Sequence, residues 1–561
     1  MFAKFKPLKA NFVDVLKIGV VLCVGSLPLH QAIAQTDTPV QTEVQVSNAP
    51  EVSVEDANTQ APETQSLDLP QQGPILSDLI RAEISGLGSK KSNSKKDLEK
   101  IYGNRAFLPI WRDGSQWLPR ARQAFTILSS SERQGLRSKE YIDPIFLGQQ
   151  PTSPIELAKA DIALTRGVVA YIRDLRFGRY NPKNDYGPKR KERVDDSVEV
   201  FEASLTLENY DLWLNRMGPA TIQYQTLLSA LFKYEEIVEN GGWPIIRSGG
   251  VLKLGVVDKR VPLLRKTLAI MGDFELDEAG KQSLALMASV DMSDLDEEIG
   301  LGGNKFDSQL DTAVKKFQER HGLLVDGILG GRSQDILRIS AAERLDQIKI
   351  NLERLRWDRS HENRRYVRVN IPEYRLRAYV DNEQVLEMPV VVGKSARPTP
   401  ELNDYIVNVK FNPDWTVPRS IVLKDIFPAL VKNPAYPNQN NMEATYKGKV
   451  IDTSSFDMSF ADPSAMGFRQ LPGPKNPLGS FRFSMTNNQS IFLHDTPKKF
   501  LFGNTSRANS SGCVRVGDAK SFAKFLIDDP AYSSGRISRI VDNIEIEFRR
   551  LEEPVAVALS Y

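Results

Sequence analysis

The spacing of apolar residues changes near Arg365, and that change limits what this chain can become more than any other feature of it. Before it, apolar residues return at helical intervals, from Ala158 to Phe177 and again from Leu227 to Ile237. After it they alternate. Val367, Val369 and Ile371 oppose Arg368 and Asn370; Leu376, Ala378 and Val380 oppose Arg375, Arg377 and Tyr379; Ile544, Ile546 and Phe548 oppose Glu545 and Glu547. Such a two-residue repeat belongs to a half-buried strand. The expected fold class is therefore multidomain α+β, with helical domains first and a mostly β domain last.

The length of 561 residues fits roughly three or four units at about 150 residues each. Lys4, Lys6, Lys9 and Lys17 precede the apolar run Ile18 to Leu29, and Ala32-Ile33-Ala34 offers a small-residue cleavage site. Residues 1–34 thus read as an export signal, and Cys23 would leave with it. Bulky Leu22 before that cysteine argues against lipidation. Retention as a membrane anchor is the alternative, although the run is shorter than the ~20 residues a spanning helix needs. Either way the rest of the chain is expected outside the cytoplasm. Residues 35–80 contain no lysine or arginine and are rich in Pro, Gln, Thr, Ser, Glu and Asp, which predicts a disordered linker.

Residues 81–250 are expected to form a helical scaffold domain, punctuated by Asn181-Pro182 and Gly241-Gly242, with no chemistry of its own. Residues 251–338 form a compact module. In it Leu310, Ala313, Val314 and Phe317 make one helix face, Gly322 ends that helix, Val325-Asp326-Gly327 turns, and Ser333 caps a short helix through Leu337. A helical linker over 339–364 leads to the β domain, 365–561, whose one clear helix starts at Asp518 with Ala519, Phe522, Ala523 and Leu526 on one side. A net charge of +2 gives no electrostatic address. Lys90-Lys91 with Lys95-Lys96, and Lys189-Arg190-Lys191, read as solvated faces, so no nucleic-acid partner is expected. Past the leader only His321, His361 and His494 remain, too scattered for a metal site, and no cofactor is implied.

With Cys23 gone, Cys513 is the last cysteine and cannot form an internal disulfide. His494 lies 19 positions upstream, behind Ile491-Phe492-Leu493. A thiol with a nearby imidazole is the minimal nucleophile and base for acyl transfer. The amides around Gly512 and Cys513 would face a developing oxyanion. Arg515, on the same strand face as Cys513, would hold a substrate carboxylate or form a structural ion pair.

The stretch Ala313 to Leu323 with Val325 to Gly330 resembles the small three-helix peptidoglycan-binding module. His494, fifteen residues, then Ser510-Ser511-Gly512-Cys513-Val514-Arg515 resembles the signature of the L,D-transpeptidase (YkuD) catalytic domain. The similarity extends through Val369-Asn370-Ile371-Pro372, Val392-Gly393-Lys394, Arg397-Pro398-Thr399-Pro400, Asn412-Pro413-Asp414-Trp415, Asn476-Pro477-Leu478-Gly479 and Leu493-His494-Asp495-Thr496-Pro497. Together with the upstream domains it is similar to the large YcbB-type periplasmic enzymes. Two positions depart from the wider pattern: Ser511 stands where the signature has histidine, and Phe492 where some relatives carry tyrosine.

The resemblance implies 3-3 cross-linking of peptidoglycan stem peptides. Cys513 would be the nucleophile and His494 the proton carrier, the imidazole oriented by a backbone carbonyl rather than by the Asp495 carboxylate. A thioester would form as the terminal D-alanine of a tetrapeptide leaves. Ser511, Gly512, Arg515, Phe492 and Trp415 are the candidate oxyanion and substrate-binding residues, residues 419–468 a capping insertion, and a carbapenem an acylating inhibitor. Implied partners are peptidoglycan stems and glycan, with other cell-wall synthesis enzymes as further candidates. The competing readings are an L,D-carboxypeptidase, another cysteine acyl transferase of the wall such as a sorting transpeptidase, and a non-catalytic peptidoglycan-binding protein.

Overall fold

The computed structural model describes residues 75–561 apart from 89–91, 147–150, 181–194, 208, 279, 283–302, 359 and 459–460. The expected export signal, Cys23, most of the tether, Lys90-Lys91, Asn181-Pro182 and Lys189-Arg190-Lys191 lie outside the described residues. Where the tether was expected to run to residue 80, a helix already starts at Leu76: α1 spans Leu76–Gly86 and buries Ile80 and Ile84. Leu76 and Leu79, partly buried, pack on the same core, so an apolar stripe docks the helix.

The scaffold is helical. It is organised around α2, Pro154–Phe177, which opens on a capping box of Ser153 and Glu156 and buries residues all round. Inside it, the Asp161 carboxylate accepts from Tyr102 Oη at 2.6 Å and from the amides of Ile110 and Trp111 at 3.0 Å each, tying distant chain to the helix. Helix α3, Ile222–Glu239, ends where Gly241 and Gly242 take φ of +86° and +74°.

In the module, α4 (Val261–Met271), α5 (Ser308–Arg320) and α6 (Gly331–Leu337) pack around Leu264, Leu310, Val314 and Phe317. The predicted face of α5 is the buried one, and Gly322 follows it at φ +63°. Ser333 is not a cap: α6 starts two residues earlier, after Gly330, whose extended backbone (ψ −175°) leads into the helix without a side-chain cap. The module's core also reaches back across the expected boundary to Trp243 and Ile246.

Helix α7, Ala341–Trp357, covers most of the expected linker, but it is packed rather than loose. Leu345, Ile348 and Leu352 bury against Tyr224, Leu228 and Leu231 of α3. On its other side Arg354 reaches Glu401 of the β domain at 3.4 Å.

The β domain is built on a large mixed sheet closed on itself, with a smaller second sheet beside it. Its strands are β1 (Arg365–Asn370), β2 (Arg375–Val380), β3 (Glu383–Gly393), β4 (Leu402–Phe411), β5 (Trp415–Thr416), β6 (Met442–Tyr446), β7 (Lys449–Ile451), β8 (Met466–Gln470), β9 (Phe481–Met485), β10 (Leu493–His494), β11 (Ala508–Ser510), β12 (Val514–Val516) and β13 (Glu547–Ser560). The large sheet runs β11-β3-β12-β10-β9-β4-β13-β1-β2, and a further β2 to β3 pairing closes it. Strand β3 manages both ends because it is long: Glu383 to Pro389 pair with β2, Val390 to Val392 with β12 and β11. Its interior holds Val367, Val369, Leu376, Ile406, Val409, Phe483, Leu493 and Val514, packed against α8, Ala519–Ile527. Asp518 caps α8 as predicted, accepting from the Ser521 amide at 3.0 Å.

The alternation at Ile544, Ile546 and Phe548 does not mark a buried face. These side chains are 51%, 57% and 62% exposed, and Ile544 sits in a turn at φ +55°. The part of β13 inside the closed sheet is the continuous apolar run Val555 to Leu559, set off by a register shift after Arg550. A strand covered on both faces loses its alternation.

Between β5 and β8, the predicted insertion forms a second sheet, β5-β8-β6-β7, with short helices and a core of its own built from Val417, Val422, Ile426, Leu430, Met442 and Phe468.

Candidate active site

Three adjacent strands place the chemistry. Strands β10 and β12 run parallel, with Leu493 opposite Val514 and His494 opposite Arg515. Leu493 and Val514 are buried in the domain core, so their chain neighbours take the other face. On the far side of β10, Arg482 of β9 stands opposite His494. A cross-strand row Arg482, His494, Arg515 results. Cys513 precedes Val514 and is diagonal to His494 on that face, beside Phe492, whose carbonyl accepts from the Val514 amide at 3.2 Å.

The loop into Cys513 is tightly held. Ser510 Oγ donates to the Cys513 carbonyl at 2.6 Å and accepts from the Gly512 amide at 3.1 Å. Thr399 Oγ1 donates to the Gly512 carbonyl at 2.7 Å and accepts from the Gly393 amide at 2.8 Å, fastening the loop to β3. Gly512 itself has φ +121°, a conformation that a side chain at this position would strain. Because its amide is given to Ser510, it is not free to face an oxyanion as the sequence led us to expect. The amide of Cys513 has no acceptor among the described residues and remains for that role.

The Cys513 thiol is half-buried, with Sγ 3.6 Å from the Ser490 carbonyl. Burial pushes its pKa up, against the opposing pull of the Phe492 backbone and of the Arg482 and Arg515 charges. His494 is buried, and its pKa is pushed down to about 3, first by burial and then by the Arg515 charge. Both shifts favour the neutral form of the group concerned. His494 Nδ1 lies 2.5 Å from the Asp495 carbonyl, so Nδ1 carries the proton and Nε2 is the basic nitrogen. The Asp495 carboxylate is engaged elsewhere, by the Ser480 amide at 2.9 Å and Lys499 Nζ at 2.5 Å.

Ser511 is exposed, and its Oγ accepts from Arg397 at 3.2 Å; the same guanidinium nitrogen is 2.8 Å from Asp425 of the insertion. Phe492 lies 5.7 Å from the His494 ring, centroid to centroid, and under the Arg482 guanidinium at 4.5 Å. Trp415 belongs to the sheet of the insertion. It pairs with Gln470 and its ring packs on the core of the insertion. Arg482, Thr399 and Arg397 were missed in the sequence. Thr399 and Arg397 fall inside a quoted motif, but only the fold shows what they touch, and Arg482 carries no local signal.

A closed mixed sheet that carries a carbonyl-oriented histidine on the strand beside the one a cysteine leads into has the make-up of the acyl-transfer class. The family comparisons agree with that class: residues 364–532 match the L,D-transpeptidase catalytic domain (YkuD), residues 96–231 the Scaffold domain, and residues 299–337 the "Putative peptidoglycan binding domain". The chain thus carries a YkuD L,D-transpeptidase catalytic domain together with a peptidoglycan-binding domain. Over 197 residues it is 33% identical to a protein of Haemophilus influenzae described as "Putative L,D-transpeptidase"; that stretch covers 35% of this chain and 40% of the relative's length. Among solved structures, an L,D-transpeptidase from Mycobacterium smegmatis aligns at 12% identity over 35% of this chain and 59% of the other, with a TM-score of 0.15, too slight a likeness to bear on the fold.

Proposed function

We propose that this protein cross-links peptidoglycan stem peptides in the 3-3 manner, through a thioester on Cys513. The observation that supports the reading is the parallel register of β10 and β12, with His494, a carbonyl on its Nδ1, on the strand next to the one that Cys513 leads into. As the sulfur attacks the carbonyl at the L-centre of the donor's third residue, His494 Nε2 takes the thiol proton, so no thiolate has to persist in a buried site. The Cys513 amide stabilises the oxyanion. His494 then returns the proton to the departing amine of D-alanine, and the thioester remains. An acceptor amine from a second stem, giving up a proton to the same nitrogen, resolves it.

Water would compete with that amine. The insertion supports its exclusion, since it is a folded unit that reaches the catalytic loop through Asp425, Arg397 and Ser511. The reading also puts the protein outside the cytoplasm, where its substrate is, and its module on the glycan of the same wall. Among the described residues no helix is long and apolar enough to cross a membrane.

Incubating the full chain with a disaccharide-tetrapeptide tests the proposal. A 3-3 linked dimer with loss of D-alanine is expected. Disaccharide-tripeptide alone would make the protein a carboxypeptidase instead. A carbapenem should add one adduct mass to the native protein and none to Cys513→Ala; an adduct on the variant would sink the assignment of the nucleophile.

A further inference from the structure

The charges beside the catalytic pair are left open. Most arginines of the β domain meet a carboxylate: Arg368 lies 3.0 Å from Asp358, Arg377 3.1 Å from Glu387, and Arg549 3.1 Å from Asp529. Arg482 and Arg515 meet none among the described residues, although both are partly buried. The Nε of each is shut off from water with no acceptor. A buried donor left without a partner costs free energy and calls for an explanation. One that satisfies the chemistry is an acceptor that arrives with the substrate.

Their placement suits that role. The two arginines occupy neighbouring strands on either side of His494 and share its face. Their backbones are two strand spacings, about 10 Å, apart, a gap that two long side chains can close. Arg482 is steadied by the Phe492 ring, 4.5 Å from its guanidinium. Guanidinium groups recognise carboxylates through paired, charge-assisted hydrogen bonds.

We propose that Arg482 and Arg515 form a carboxylate seat flanking His494, which binds an acidic group of the donor stem and aligns its carbonyl with Cys513. This deepens the transpeptidase reading and rests on it for the identity of the ligand. A tetrapeptide donor carries two candidate carboxylates near the scissile bond, one on the terminal D-alanine and one on the side chain of the diamino acid. Both share the chemistry the seat needs.

Two measurements test the seat separately from turnover. The first compares alkylation of Cys513 by iodoacetate, an anion, and iodoacetamide, its neutral counterpart, in the full chain, with the adduct located by peptide mapping. Normalised to free cysteine, the iodoacetate-to-iodoacetamide rate ratio should exceed one, and Arg482→Gln or Arg515→Gln should lower it about tenfold, the size of one charge-assisted hydrogen bond. The ratio cancels any change in thiolate fraction. Arg482→Lys should retain part of it, and an unchanged melting temperature confirms that each variant folds. Ratios within about twofold of native in both glutamine variants would overturn the seat, whatever the protein's reaction proves to be.

The second uses donor tetrapeptides amidated at one carboxylate or the other. Arg482→Gln should raise KM for the acidic donor, with a smaller effect on kcat. The amidation that removes this sensitivity names the carboxylate bound. Equal sensitivity with both amidated donors would overturn the proposal. Should no donor turn over with the native protein, the transpeptidase reading fails while the alkylation ratio still decides the seat.

Discussion

At Cys513 burial and neighbouring charge act in opposite directions and burial wins, whereas at His494, its proposed partner, the two act together. The thiol pKa is raised and that of His494 lowered to about 3. A resting thiolate-imidazolium pair would let iodoacetamide react at a steady rate across mildly acidic pH. Here the rate should keep climbing above pH 8, following the thiol alone, with no plateau between pH 4 and 7; such a plateau would show that the ion pair forms. Cys513 and His494 were legible in the sequence because a lone thiol and a rare imidazole stand out in composition. Arg482 and Thr399 were not. Their roles come from strand register and from a loop crossing over β3, and neither leaves a trace in local spacing.

Among the elements, periodicity was a sound guide wherever one face meets the core and the other meets water. The helix face of Leu310, Ala313, Val314 and Phe317 and the strand pair β1 and β2 were found this way. It failed at the start of β13, where exposed Ile544, Ile546 and Phe548 imitate the pattern while the truly buried residues run consecutively. The difference is measurable. Phe548→Ala should change unfolding free energy by no more than about 0.5 kcal/mol, whereas Leu559→Ala, 1% exposed in the core, should cost about 2–5 kcal/mol. Urea denaturation of the two variants checks both, and similar losses would contradict the placement of β13.

Across the whole molecule, the order of helical scaffold, small module and β domain was readable from patterning, but the character of the connection was not. Helix α7 looks like a linker in sequence because a packed amphipathic helix and a solvated one share the same period. Packing also governs the response to acid. His321 and His494 are buried with pKa values pushed down to about 3, each by burial first. Unfolded imidazoles bind a proton near pH 6.5 and the folded ones only near 3, so the stability they contribute is intact at neutral pH and is lost as pH falls through that interval. At pH 5 each should cost about 2 kcal/mol. Melting followed from pH 7 to 4 should show the decline, and His321→Gln should flatten it; an unaltered slope would remove His321 as a cause.

The bridge from Asp425 through Arg397 to Ser511 lies open to water, and attraction between such charges fades once dissolved ions crowd around them, over about 8 Å at physiological strength. Beyond the cytoplasm, a cell does not fully govern the salt around its proteins. If the insertion closes over the thiol as proposed, its hold on the Cys513 loop would follow the ionic strength of the surroundings, tight in dilute media and slack in brine.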